Sequence, residues 1–262
     1  MTSWILTTRN DGYGGDLSGC GNYAMRRLIV TVNSIRWVAP ADEIIVVEWC
    51  PDGVHEPLER FLIGTGARVI TVCRAIQDRL DRDNPSERKL SFYEVLAKHA
   101  AVGQTSSDKL IFCNPDNVFT PRGFTGELIR PGMIIRAVRQ DVAADYAIRP
   151  MAELFHWATC DGFRIVRTCA AAAGDFTGIH RSDYELLGGY TLKHINWHAD
   201  NDLLERARAN KIIIERTYKH YHLAHEKLGA NERSQDWAAA APIDQRIVDD
   251  IAGYIIADKV IE

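Results

Sequence analysis

Apolar residues fall in short dense runs separated by longer amphipathic stretches. Trp4 to Thr8 is apolar and β-branched and predicts a strand. Met25 to Val38 places Leu28, Ile29, Val32, Ile35 and Trp37 at roughly helical spacing. Glu43-Ile44-Ile45-Val46-Val47-Glu48-Trp49 is a continuous apolar run, the pattern of a strand buried on both faces of a parallel sheet. Glu56 to Ile63 predicts a short helix, with Pro57 near its start and Gly64 at its stop. Arg68 to Val72 is a third strand, and Asn84-Pro85-Ser86-Glu87 suits an N-cap, a Pro at N1 and a capping-box Glu, with a loop fitting nearly as well. Ser91 to Ala101 reads as a helix and Lys109-Leu110-Ile111-Phe112-Cys113 as a fourth strand. Strands alternating with helices predict an α/β fold, with a mostly parallel central sheet flanked by helices. Sheets of this kind place ligands at the C-terminal ends of their strands.

The second half is less regular. Ile134 to Val138 suggests another strand, and residues 139–168 give no clear pattern. Ser182-Asp183-Tyr184-Glu185 has the form of a capping box, and the short helix it starts stops at Gly188-Gly189. Asp200 to Ala209 predicts a helix, Ile212 to Ile214 a strand, and residues 243–260 a final amphipathic helix. No repeat, low-complexity tract or linker divides the chain, so a single domain is expected over its 262 residues.

Composition narrows the class. The chain is 46% hydrophobic and 25% charged with a formal net charge of −4, which excludes a disordered chain and disfavours a binder that lives on nucleic-acid phosphates. No apolar run approaches the ~18 residues of a membrane helix. The N-terminal residues lack the basic and apolar regions of a secretion signal. The cysteines at 20, 50, 73, 113, 160 and 169 form no C-x-x-C pair. A cytoplasmic protein with reduced thiols is expected.

Four polar clusters could carry chemistry. Asn114-Pro115-Asp116-Asn117 follows the fourth strand; its carboxylate suits a hard divalent cation, and its residue types equally suit a turn. Asp175 lies among small residues in Ala173-Gly174-Asp175-Phe176-Thr177-Gly178, where the backbone can approach a ligand, or where Asp175 simply pairs with Arg181. His198-Ala199-Asp200-Asn201-Asp202 supplies either a general base or helix caps. His220-Tyr221-His222-Leu223-Ala224-His225 puts His220 and His222 on one side of an extended strand, as metal ligands or as buried polar residues.

In order along the chain, Thr8-Arg9-Asn10-Asp11, Val47-Glu48-Trp49, Ala97-Lys98 and Asn114-Pro115-Asp116 resemble the nucleotide-sugar half of GT-A glycosyltransferases. Gly174-Asp175-Phe176-Thr177 with Arg181, Gly188-Gly189-Tyr190, His198-Ala199-Asp200 and Tyr221-His222-Leu223-Ala224-His225 are similar to the acceptor half of a family-2-like bacterial group. The similarity runs from about residue 4 to about residue 226 and rests on order and spacing rather than on one motif.

The resemblance implies a single GT-A-like domain. Its nucleotide-sugar half would cover about 1–118, and its acceptor half about 119–262 with a C-terminal helix. Thr8, Arg9, Asn10, Asp11, Glu48, Trp49, Lys98, Asn114 and Asp116 would then line the donor site, with Asp11 and Glu48 at the nucleoside. Asp116 would stand in the metal-binding D-x-D position, and His222 or His225 would complete a Mn²⁺ or Mg²⁺ site. Asp175 would line the sugar and acceptor pocket, and Asp200 or Asp202 would be the catalytic base.

The implied reaction moves a hexosyl or pentosyl group from a nucleotide-diphosphate sugar to a hydroxyl, with inversion if Asp200 is the base. The acceptor is left open among a glycan, a small molecule, a protein and a nucleic acid. Two positions depart from the pattern: Asn114 replaces the first acid of D-x-D, and His99 stands where the group tends to have Asn. Two rivals remain. A sugar-nucleotidyl transferase needs a basic glycine-rich loop after the first strand, whereas Asp11-Gly12-Tyr13-Gly14-Gly15-Asp16 is acidic. A nucleotide-sugar-binding module without catalysis is supported by Asn114.

Overall fold

The computed structural model describes residues 1–10, 23–51, 53–87, 89–121, 126–169, 175–196, 198–224 and 237–262. Strand β1 (Thr2–Thr8) is buried along its whole length and anchors the sheet. Helix α1 (Tyr23–Val38), β2 (Glu43–Trp49), α2 (Leu58–Phe61) and β3 (Arg68–Val72) follow, then α3 (Arg74–Asp83), α4 (Glu94–Val102) and β4 (Lys109–Cys113). Beyond them come β5 (Asn117–Val118), β6 (Met133–Val142), α5 (Met151–Cys160), β7 (Ile165–Cys169) and β8 (Phe176–His180). The chain continues through α6 (Arg181–Leu186), α7 (Ala199–Ala209), β9 (Ile213–Leu223), α8 (Gln245–Asp249) and β10 (Ile255–Val260).

The strands form one sheet in the order β10-β3-β2-β1-β4-β8-β6-β9-β5, with β7 beside β6. Strands β3, β2, β1 and β4 are parallel, as the apolar runs predict. Strand β8 then enters antiparallel between β4 and β6, β9 runs parallel to β6, and β5 and β10 close the two ends antiparallel. The sheet is therefore mixed in its second half.

Side-chain alternation explains why the central strands read as continuous apolar runs. Ile5, Ile45, Val47, Ile70, Leu110 and Phe112 pack on one face against α3, α4, α7 and α8. Trp4, Leu6, Ile44, Val46, Val69 and Ile111 pack on the other against α1 and α2. A third cluster places Leu154 and Ala158 of α5 over Val118, Val142, Tyr221 and Leu223.

Three expectations change. Residues 243–260 are not one helix: α8 is short, and Ile255–Val260 forms β10 on the open edge of β3. The unpaired backbone groups of β3 gain partners there, and Arg68 grips Asp258 at 2.5 Å across the pair. The start of α6 is capped by His180, whose Nδ1 accepts from the Ser182 N–H, and not by Ser182. Asp183 instead accepts from the Gly132 N–H at 2.7 Å. Helix α3 has no counterpart in the sequence reading, because only Ile76, Gln77 and Leu80 of its ten residues are buried. Asn84-Pro85-Ser86-Glu87 is loop. Among the described residues, no helix is long and apolar enough to cross a membrane.

Candidate functional site

The turn after β4 supplies the first groups. Asn114 Nδ2 donates to Asp175 Oδ1 at 2.9 Å, and Asn117 Nδ2 donates to the Asp175 carbonyl at 2.9 Å. Asp175 is 4% exposed. It precedes β8, which pairs with β4, so the two clusters seen separately in the sequence meet here. The expected partner Arg181 is elsewhere, donating to the carbonyls of Thr105 and Ser107. Arg139 of β6 takes that place, with Nη1 2.8 Å from Asp175 Oδ2. The departure at position 114 thus has a local cause: an amide donates to Asp175, where a second carboxylate would repel it.

Asp116 and His222 face each other. The Leu223 N–H donates to the Asp116 carbonyl at 2.8 Å, which fixes the turn against β9. His222 Nε2 lies 3.3 Å from Asp116 Oδ2, and its Nδ1 lies 3.0 Å from Asp141 Oδ1. Asp141 and His222 are register partners on the parallel strands β6 and β9. Burial opposes a charge on the His222 imidazole, but the two carboxylates outweigh it and push its pKa up to about 9. Burial likewise opposes a charge on Asp141, and His222 and Arg139 outweigh it, so the carboxyl is held below its usual range.

His220 is fully buried on the same strand beside Phe119 and Phe176, and among the described residues neither of its ring nitrogens has a hydrogen-bond partner. Burial pushes its pKa down to about 4.

A carboxylate beside an imidazole could give Mn²⁺ two ligands once the imidazole releases the proton that the carboxylates hold on it. Two ligands at ~2.1 Å on adjacent corners of an octahedron stand about 3 Å apart, near the observed Asp116–His222 separation, and such ions commonly complete their shell with water and substrate phosphate. Among the described residues, no group of three or more His, Cys, Asp or Glu is arranged to hold a metal alone. Asp11 and His225 lie outside the described residues.

A second group lies where α4 and α7 meet the sheet. Lys98 is fully buried and donates to Glu94 Oε1 at 2.6 Å. Burial would lower its pKa, but Glu94, Tyr190 and Asp200 outweigh burial and raise it, so the ammonium persists. Its Nζ lies 5.4 Å from the Tyr190 ring centre, and the Tyr190 hydroxyl donates to Asp200 Oδ1 at 3.1 Å. Buried Arg136 also feels the Asp200 charge. His198, just before α7, has a left-handed backbone with φ 72°, a conformation uncommon outside glycine. Asp202 turns away: it accepts from Thr191 Oγ1 at 2.7 Å and pairs with Arg206 at 2.9 Å.

The ends of β1 and β2 hold the remaining residues. Glu48 is 2% exposed and accepts from Asn10 Nδ2, Thr71 Oγ1 and the Leu58 N–H. Burial raises its pKa against those three bonds. Arg9 donates to Ser91, and Thr8 donates to the Arg9 carbonyl. Trp49 is 1% exposed, stands beside Phe92 and Tyr93, and donates its indole N–H to Gln77 at 2.9 Å. It is core wall rather than an open stacking surface. Asp141 and the pairing role of Arg139 do not stand out in the sequence. Their signal was opposite charges two residues apart, on one face of a strand.

No protein-family model and no curated protein matches the chain. Solved structures do. Glucosyl-3-phosphoglycerate synthase from Mycobacterium tuberculosis in complex with phosphoglyceric acid is 15% identical, covering 88% of this chain and 76% of that one, with a TM-score of 0.47. The same synthase with Mn²⁺, UDP-glucose and phosphoglyceric acid is 14% identical over 99% of this chain and 89% of that one, with a TM-score of 0.45. A mycobacterial protein is 15% identical over 87% of this chain and 68% of that one, with a TM-score of 0.49. At this distance the likeness carries neither substrate nor mechanism across to this chain.

Proposed function

We propose that this chain is a GT-A-type glycosyltransferase that moves a sugar from a nucleotide-diphosphate sugar to an acceptor hydroxyl, with a divalent cation and with inversion. The observation that carries the reading is the Asp116 carboxylate facing the His222 imidazole at 3.3 Å, in the turn after a parallel strand. Ligands bind at such strand ends in open α/β sheets. The ordered sequence resemblance reaches the same residues.

In this reading Asp116 and His222 would hold Mn²⁺ or Mg²⁺, which would supply positive charge to the diphosphate leaving group. Asn114 keeps Asp175 in place through its amide. Glu48, closed by Asn10, Thr71 and the Leu58 N–H, shapes the nucleoside wall from behind. Asp200 takes the acceptor proton as the hydroxyl attacks the anomeric carbon. The Tyr190 hydroxyl holds one oxygen of Asp200, while Lys98 and Arg136 put positive charge nearby. Asp202, already committed to Arg206 and Thr191, is left out of the chemistry. Asn114 no longer speaks for a module that has lost catalysis, because its amide has the local task of donating to Asp175.

Nucleoside-diphosphate release from a panel of nucleotide sugars, with and without chelator, tests the proposal. Metal-dependent release that falls at least a hundredfold in Asp200→Asn, with the melting temperature retained, is expected. Turnover in Asp200→Asn equal to wild type refutes Asp200 as the base, and no turnover with any donor refutes the enzyme reading.

A further inference from the structure

The His222 ring has two nitrogens and only one can face Asp116, so something must fix its orientation. Strand pairing supplies that element. Asp141 sits directly beside His222 in the β6–β9 register, and its Oδ1 lies 3.0 Å from Nδ1, opposite the nitrogen that faces Asp116. Arg139, two residues earlier on the same face of β6, holds that same Oδ1 through Nε at 2.5 Å. Its Nη1 reaches Asp175 at 2.8 Å. Asp141 is 7% exposed and Arg139 only 14% exposed at its side chain, so neither carboxylate nor guanidinium is free to swing into water.

We propose that Asp141 is a positioning residue for the cation site: it fixes the His222 imidazole so that Nε2 points at the position shared with Asp116. Arg139 in turn fixes Asp141 and links it to Asp175 on the other side of the site. This rests on the cation reading of Asp116 and His222. A carboxylate on the far nitrogen of a metal-binding imidazole sets its tautomer and raises its basicity, and removing such a partner commonly weakens metal affinity about 10–100-fold.

Mn²⁺ binding by the full chain, followed by electron paramagnetic resonance with and without UDP, tests the assignment without using activity. Asp141→Asn is expected to weaken Mn²⁺ about 10–100-fold. Asp141→Glu keeps the charge but displaces the oxygen by one methylene, and it is expected to weaken binding as well. Glu153→Gln, at an exposed position of α5, is expected to match wild type. The melting temperature of each metal-free variant separates lost affinity from lost fold, and Asp141→Glu decides the question if Asp141→Asn does not fold. Wild-type affinity in both Asp141 variants, with binding abolished in Asp116→Asn and His222→Gln, overturns the positioning role and leaves the cation reading standing. Absence of Mn²⁺ binding by the wild-type chain, even with UDP, overturns both.

Discussion

Two histidines on one strand are expected to titrate on opposite sides of neutrality, and that contrast can be measured as stability. His222 is 3% exposed between two carboxylates, with a folded pKa of about 9 against an ordinary 6.5. Such a difference corresponds to about 3 kcal/mol, since each pKa unit is worth about 1.4 kcal/mol. Because the folded value is raised, this contribution is present in full below pH 6.5 and is lost as pH rises through about 9. His220 behaves oppositely: burial holds it neutral down to about pH 4, so stability is lost as pH falls from 6.5 toward 4. Urea unfolding by tryptophan fluorescence, in chelator, across pH 4 to pH 10, reads both arms. His222→Gln should lower stability by about 3 kcal/mol at pH 6.5, with the difference from wild type vanishing above pH 10. His220→Gln should flatten only the acid arm. Curves for His222→Gln and wild type that run parallel across the alkaline range would show that Asp116 and Asp141 do not hold the His222 imidazole charged.

Asn114→Asp, which would give the turn a D-x-D pattern, should destabilise the fold at pH 7 by about 1–3 kcal/mol, because a carboxylate replaces the donor to Asp175. Its urea midpoint should recover as pH falls and one of the two acids is protonated. Gly178→Ala places a Cβ 3.1 Å from Ile129 Cδ1 and 3.3 Å from its Cγ1, so the buried Ile129 side chain must shift, and a loss of about 1 kcal/mol by chemical denaturation is expected. Trp49→Phe removes the indole donor to buried Gln77 and should cost about 1–3 kcal/mol, with no change in the affinity for a nucleoside diphosphate.

The central strands were legible because nothing competes with burial there. Glu43–Trp49, Arg68–Val72 and Lys109–Cys113 are runs whose bounds are set by where apolar residues stop, and the sheet covers both their faces. Residues 243–260 misled because Ile247, Val248 and Ile251 suit a helix face, while the fate of Ile255 to Val260 depended on the open edge of β3, which only tertiary structure supplies. Helix α3 hid because a partly exposed helix needs few apolar residues. The residue types of the candidate site could be read locally, and their pairings could not. Asp175 looked to Arg181 six residues away in sequence, yet the sheet delivers Arg139 instead. Asp141 drew no notice until β6 and β9 set it beside His222.

A nucleotide-sugar site built on Asp116 should show itself in thermal unfolding of the full chain with UDP, GDP, dTDP and CMP, each with and without Mn²⁺. A ligand that binds only the folded state adds about 2.7 kcal/mol at a hundred times its dissociation constant. A rise in melting temperature is expected with one nucleoside diphosphate, requiring Mn²⁺ and disappearing in Asp116→Ala. No rise with any nucleotide, or a rise untouched by Asp116→Ala, would contradict such a site.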